Sequence, residues 1–362
     1  MSSSIGKILK ITVFGESHSD AIGVVIDGLP SGIELDLEEI ALDMKRRAPG
    51  QNKMSTPRKE ADLPEIKSGF FEGKTTGTPL CAVIENTNTR SKDYKPDLLR
   101  PSHADFTAKE RYDGFSDYRG GGHFSGRLTA PIVFAGSIAK QYLKSKGIEV
   151  FAHIKSIYDV SDASFDSVNF DIEEAKKLKT KELPVLCSKS GEKMKEAVLS
   201  AREDLDSVGG VIECAAIGLK PGIGNPLFDS VESRLSQMFF SIPAVKGIEF
   251  GAGFEISKMR ASEANDAFCM ENGEIKTKTN NNGGINGGIT NGMPIVFRVA
   301  IKPTPSIAKE QETVNYKEKK NCKIAIEGRH DPCIVQRAVV VAECACALCL
   351  ADLYMEDKSY AK

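Results

Sequence analysis

The feature that most constrains this chain is the stretch Arg100–Ala130, RPSHADFTAKERYDGFSDYRGGGHFSGRLTA. It gathers His103 and His123, four arginines and three consecutive glycines, with hardly an aliphatic side chain among them. Such a segment cannot be core, so the elements on either side must supply one. Arg100, Arg111, Arg119 and Arg127 point to anion binding, because a guanidinium stays charged and grips carboxylate or phosphate through paired hydrogen bonds. Gly120, Gly121 and Gly122 permit positive φ and let backbone N–H groups approach a ligand. His103 and His123 supply groups that titrate near neutral pH. A solvated loop would account for the glycines alone, but not for the histidines and arginines around them.

With 48 basic and 50 acidic residues the net charge is −2, so any anion site must be built locally. That balance speaks against a nucleic-acid partner held by bulk charge. No tract approaches the ~18 uninterrupted apolar residues of a membrane span, and MSSSIGKILKITVFGE lacks the order of a secretory signal. A cytoplasmic protein with no membrane partner is expected. Nine cysteines, odd in number and scattered, then read as thiols. Cys346 and Cys349 form a C-x-x-C inside the apolar run AVVVAECACALCLADLY, where they read as small buried hydrophobes. No ligand set has metal spacing, and no metal is expected.

Alternation of Ile8, Leu9, Ile11, Val13 and Phe14 predicts a strand that meets the turn GESHS, Gly15–Ser19, where hydroxyls flank His18. A second strand is expected over 23–28. ELDLEEIALDMKRR has helical spacing with acids early and bases late. Lys45, Arg46, Arg47, Lys53, Arg58 and Lys59 form the densest basic patch; a helix C-terminus attracts cations and explains part of it, and the part beyond Pro49 reads as a flexible wall of an anion site. Strands follow over 65–71 and 80–85, then a helix over 131–146 and a strand over 148–159. A peripheral excursion is expected over 160–182, a helix over 190–207, the strand VIECAAIGL and a helix over 228–240. The polar segment 256–284 has the composition of a disordered insert, yet its closing glycines run straight into the strand MPIVFRVAI. Those glycines and the following KPTPS are expected to meet at one sheet edge and suit a phosphate. A charged hairpin is read at 311–323. Asp331-Pro332 reads as the N-cap and first residue of the last helix. With no repeat, low-complexity tract or linker, residues 1–362 read as a single domain.

Taken together, GESHS, KRRAPGQ, RPSHADFT, DYRGGGHFSGRLTA, NNGGINGGITNGMPIVFRVAIKPTPSI and GRHDPCIVQRAV resemble the chorismate synthase family. The match covers nearly the whole chain, in the family's order. The resemblance implies a single α+β domain built as a β-α-β sandwich, usually a homotetramer. It implies conversion of 5-enolpyruvylshikimate 3-phosphate to chorismate and phosphate by 1,4-elimination. It also implies a need for reduced FMN, with NADPH as an indirect reductant. Carried over by motif, the catalytic residues fall on His18, His103 and Asp331. Flavin contacts fall on Ser125, Gly287, Lys302, Pro303, Thr304, Pro305, Ser306 and Arg329. Arg47 falls at a substrate- or NADPH-associated position, with Lys53 and Arg127 on the substrate side.

Three departures stand out from the family's usual GESHG, RRRPGQ and GGGRSSARE. Ser19 replaces a glycine, Ala48 an arginine, and His123 and Phe124 an arginine and a serine. Two rival readings remain at this stage. A flavin or nicotinamide oxidoreductase lacks the G-x-G-x-x-G that would follow a strand into a helix. A nucleotide- or RNA-binding module leaves His18, His103 and Asp331 without a role and lacks interleaved aromatics.

Overall fold

The computed structural model describes residues 3–50, 54–56, 60, 62–87, 94–326 and 330–360. Two five-stranded antiparallel sheets enclose a helical layer. The first sheet takes its strands in the order Ser4–Ile5, Lys10–Gly15, Ala21–Asp27, Leu80–Glu85, Pro64–Ser68. The second runs Val245–Phe250, Ile295–Ile301, Gly210–Ile217, Glu149–Ile157, Val160–Ser161. Period-2 alternation sets which face each strand buries. Ile22, Val24 and Ile26 on one strand, with Leu80, Ala82 and Ile84 on the next, point inward together.

Helix Thr129–Lys144 lies against the first sheet and helix Val335–Tyr360 against the second, and the two helices pack on each other. The close approach needs Gly136. A Cβ there would stand 2.2 Å from Cys344 Cβ and 2.6 Å from its Cα. Covered on both sides, Val335–Tyr360 is apolar nearly all round. Composition and length alone would let it cross a membrane, but 89% of its most apolar 18-residue window is buried inside the protein. Cys346 and Cys349 are buried there as thiols, as the apolar run implies. Four charged side chains do enter this layer. Glu343 takes both Arg46 Nη atoms at 2.7 Å and Lys140 Nζ at 3.1 Å, and Asp43 takes Lys140 at 2.8 Å. Burial pushes the Glu343 carboxyl up, but the two cations outweigh it and hold it at about 2.

One apolar cluster joins residues from Leu9 to Met355 through both sheets and the helices. The outer face of the second sheet is covered by the segment expected to be peripheral, through Phe165, Ala175 and Leu178 packed on Phe151 and Ala215. The segment 256–284 is ordered and carries the hairpin Phe268–Glu271 with Glu274–Thr277. The charged hairpin forms at Gln311–Asn315 and Lys320–Ile324.

Helix boundaries move by a few residues for identifiable reasons. Helix Leu37–Arg47 is capped by the Asp36 carboxylate, which accepts from the N–H groups of Glu38 and Glu39. Helix Thr129–Lys144 starts before Pro131, which still lies in the first turn, where its missing N–H costs nothing. The last helix begins at Val335, so Asp331 is not its N-cap. The turn is closed instead on Ile334 O, which accepts from the N–H groups of Arg337 and Ala338.

Candidate active site

Strand Lys10–Gly15 delivers the turn that carries His18. Ser19 stands in ordinary backbone conformation among the described residues, and its hydroxyl closes the turn, bonding Glu16 N at 3.1 Å and Glu16 O at 2.9 Å. The side chain thus supplies a closure that glycine would leave to the backbone. Asn86, at the end of a neighbouring strand, donates to Glu16 O and Ser19 O and fixes the turn from below.

The glycine run threads between two histidines. A Cβ on Gly120 would stand 2.1 Å from His18 Cε1, and one on Gly121 would stand 3.3 Å from His103 Nε2. The loop therefore lies flush on both rings, with φ of +66° and +122° at the two glycines. Ser17 Oγ donates to Arg119 O at 3.3 Å and so accepts from His18 Nδ1 at 3.2 Å. His103 Nδ1 meets Asp105 Oδ1 at 2.8 Å. Lys302, at the end of strand Ile295–Ile301, donates to Ser102 O at 2.6 Å and Ser102 Oγ at 3.0 Å. The second sheet is thereby tied to the loop that holds His103. A cavity of about 90 Å³ opens beside His103, lined by Tyr94, Arg100, Gly121 and Phe124. Sites that enclose a whole ligand run to roughly 300–1,000 Å³, so this cavity is smaller than such a site.

Three of the arginines expected to bind anions, Arg100, Arg119 and Arg127, are matched inside the chain. Arg100 donates to Asp105 through Nε, Nη2 and its own backbone N–H, and Arg119 pairs with Asp117 through two 2.8 Å bonds. Arg47 and Arg127 converge on buried Asp62, with Glu60 3.2 Å from Arg127. Their remaining donors go to Thr129 and Gly126 O for Arg47, and to Asn86 and Glu85 O for Arg127. Burial pushes the Asp62 carboxyl up, but the two guanidiniums outweigh it and hold it below the usual carboxylate range. Arg46 turns away into the core. Lys53, Arg58, Lys59 and Arg329 lie outside the described residues.

Asp331 accepts from Thr56 N–H at 2.9 Å and from the guanidinium of Arg337, which also reaches Arg47 O. A chain of direct contacts thus runs from Asp331 through Arg337, Arg47, Asp62, Arg127 and Asn86 to the turn of His18. Ser125 stands within the same glycine-loop turn, its Oγ accepting from Arg127 N–H. Gly287 does not join this group. It sits in the hairpin before strand Ile295–Ile301, whereas Lys302–Ser306 follow that strand, so about 20 Å separates them along it. The expected meeting at one sheet edge therefore fails within a single chain. His123 also turns away, donating from Nδ1 to Gly15 O at 2.8 Å and facing Ser3 Oγ at 2.9 Å. The sequence reading missed Asp62, Asn86 and Arg337, and it passed over Asp105, which lies in the quoted motif RPSHADFT.

A sequence model of the family described as chorismate synthase matches residues 9–355. The chain belongs to the chorismate synthase family. The chorismate synthase of Lachnoclostridium phytofermentans is 49% identical over 99% of this chain and 96% of its own. Those of Chitinophaga pinensis and Pyrococcus abyssi are 48% and 46% identical, each covered over 96% or more. A crystal structure of chorismate synthase superposes with a TM-score of 0.77 at 29% identity, over 98% of this chain and 93% of the other. The family is one of lyases, and its reaction is the final step of the shikimate pathway, toward aromatic amino acids. The two sheets around helices are this family's α+β architecture.

Proposed function

We propose that this chain converts 5-enolpyruvylshikimate 3-phosphate to chorismate and phosphate on a site that holds reduced FMN. The observation that carries the reading is the placement of His18 and His103 on the two sides of one glycine run. The residues present suit the flavin. Thr304 Oγ1 is buried without a hydrogen-bond partner, and Lys302 holds its amine beside the His103 loop. Lys302, Pro303, Thr304, Pro305, Ser306, Ser125 and Arg329 would hold the flavin, and Gly287 would join from a second copy. When bound, reduced FMN would supply a transient electron for the elimination, with no net redox change.

The chain's own residues do the rest. His18 holds a proton for the departing phosphate, its ring fixed at Nδ1 by Ser17. His103 works on the flavin side through Nε2, which takes up a proton there and returns it. Asp331 receives the C–H proton, its carboxylate kept in place by Arg337 and Thr56 N–H. Arg47 and Arg127, pinned by Asp62, form the substrate wall together with Lys53.

We assign one domain, supported by the continuous core, and a homotetramer. Exposed Phe254, Phe268, Met270 and Ile275, with the free edge strand Val245–Phe250, offer faces for further copies. Nine free thiols support a reducing, cytoplasmic setting. NADPH enters only as a source of electrons for the flavin.

The test is an anaerobic assay with dithionite-reduced FMN, following chorismate by absorbance, in wild type, His18→Ala and His103→Ala. Chorismate formed only with reduced FMN, and lost by ~100-fold or more in both variants, is the expected result. A folded protein that binds FMN and makes none would return the oxidoreductase reading to the front.

A further inference from the structure

We propose that Asp105, clamped by Arg100, is a positioning residue that fixes His103 as the Nδ1–H tautomer and leaves Nε2 as its working atom. The inference rests on the role given to His103 above. His103 Nδ1 lies 2.8 Å from Asp105 Oδ1, and the same carboxylate takes three donors from Arg100. Arg100 Nη2 reaches Oδ1 at 2.6 Å, while Nε and the backbone N–H reach Oδ2 at 2.8 and 2.9 Å. Burial pushes the Asp105 carboxyl up, but the hydrogen bonds from Arg100 and His103 outweigh it and hold it far below the usual carboxylate range. An ionised carboxylate can only accept, so a neutral His103 must carry its proton on Nδ1. Nε2 then lies on the Gly121 side of the ring.

A helix-capping role does not account for this arrangement. Asp105 is the first residue of helix Asp105–Arg111, and the helix shows no side-chain cap bond. The carboxylate turns back onto Arg100 and His103 instead. The loop is held from three other directions. His103 N–H donates to Arg100 O, Ser102 has φ of +59°, and Lys302 is anchored on Ser102.

The Asp105→Asn variant turns this into a test. Two Arg100 donors meet at the Oδ2 position and one at Oδ1, so the amide carbonyl takes the Oδ2 place and the NH2 group faces His103. An NH2 group there requires a lone pair on Nδ1 and moves the proton to Nε2. Two-bond ¹H–¹⁵N spectra of histidine-labelled protein, with His103 assigned by a His103→Gln variant, read the tautomer with neither substrate nor flavin present. The expected result is Nδ1–H in wild type and in Asp105→Glu, which keeps an acceptor, and Nε2–H in Asp105→Asn. In turnover, Asp105→Asn should lose roughly 10²–10⁴-fold in kcat, the worth of a positioned acid or base, with KM within about threefold. Retention of Nδ1–H in Asp105→Asn, or Nε2–H in Asp105→Glu, overturns the proposal, as does a loss confined to KM. Because the spectra need no turnover, they stand apart from the assay that tests the function itself.

Discussion

Adding one methyl group at Gly120 should disable the site without unfolding the protein. A Cβ there would lie 2.1 Å from His18 Cε1, 2.2 Å from His18 Nδ1 and 2.7 Å from Ser17 Oγ. To restore ordinary van der Waals separation the ring must withdraw by roughly 1.3 Å. It cannot do so freely, because His18 is buried and Ser17 is tied to Gly122 O and Arg119 O. Alanine at φ of +66° adds about 1–2 kcal/mol of backbone strain. That cost lowers Tm by only a few degrees in a chain of this length. A catalytic group displaced by about 1 Å costs on the order of 100-fold in rate, and the loss belongs in kcat. Gly126, six residues on, is the control, since no atom lies within 4 Å of its Cβ position and its φ is not positive. Anaerobic steady-state kinetics with reduced FMN, alongside thermal denaturation, compare Gly120→Ala with Gly126→Ala. If Gly120→Ala turned over within threefold of wild type at unchanged Tm, the packing of the loop on His18 would have no bearing on catalysis.

Two predictions concern stability away from the site. Fully buried His153 bonds Glu213 at 3.0 Å and lies 3.7 Å from Asp162, with Arg298 and Lys155 nearby. Burial pushes the imidazole down, but the two carboxylates outweigh it and raise it, while Glu213 and Asp162 are both held low. A raised imidazole stabilises fully below its unfolded value of about 6.5 and loses that stabilisation as pH rises through the folded value. The lowered carboxylates stabilise above their unfolded values and lose it as pH falls through the folded ones. Urea titrations should therefore show a plateau between two arms, and Glu213→Gln should flatten the alkaline arm; an unchanged arm refutes the assignment. Gly136→Ala should lower Tm although helix propensity favours alanine by about 1 kcal/mol. Its methyl meets the backbone of Cys344, and overpacking costs about 1–3 kcal/mol or more. A higher Tm would show that the two helices separate freely.

Much of the fold was legible because its signals are periodic and local. The alternation through Leu9, Ile11 and Val13 and the acid-to-base gradient of Leu37–Arg47 each depend on neighbours a few residues apart. The glycine run with a histidine motif on either side was legible as a site for the same reason. The fates of the arginines were not. Arg100 and Arg119 find carboxylates within five residues, so their pairing lay in the quoted motifs. Asp62 is 15 residues from Arg47 and 65 from Arg127, and no spacing rule joins those three.

The sequence by itself determined the elements, the family and the set of chemical groups available, since helix and strand periods, caps and motifs are properties of short segments. Only the tertiary structure decided which groups meet. It put Gly120 on His18 and Gly121 on His103, and released Asp331 from capping by starting the last helix at Val335. Contacts of this kind depend on how strands order and helices pack across the whole chain, and buried charges such as Arg47 and Arg127 must find partners wherever that packing brings them.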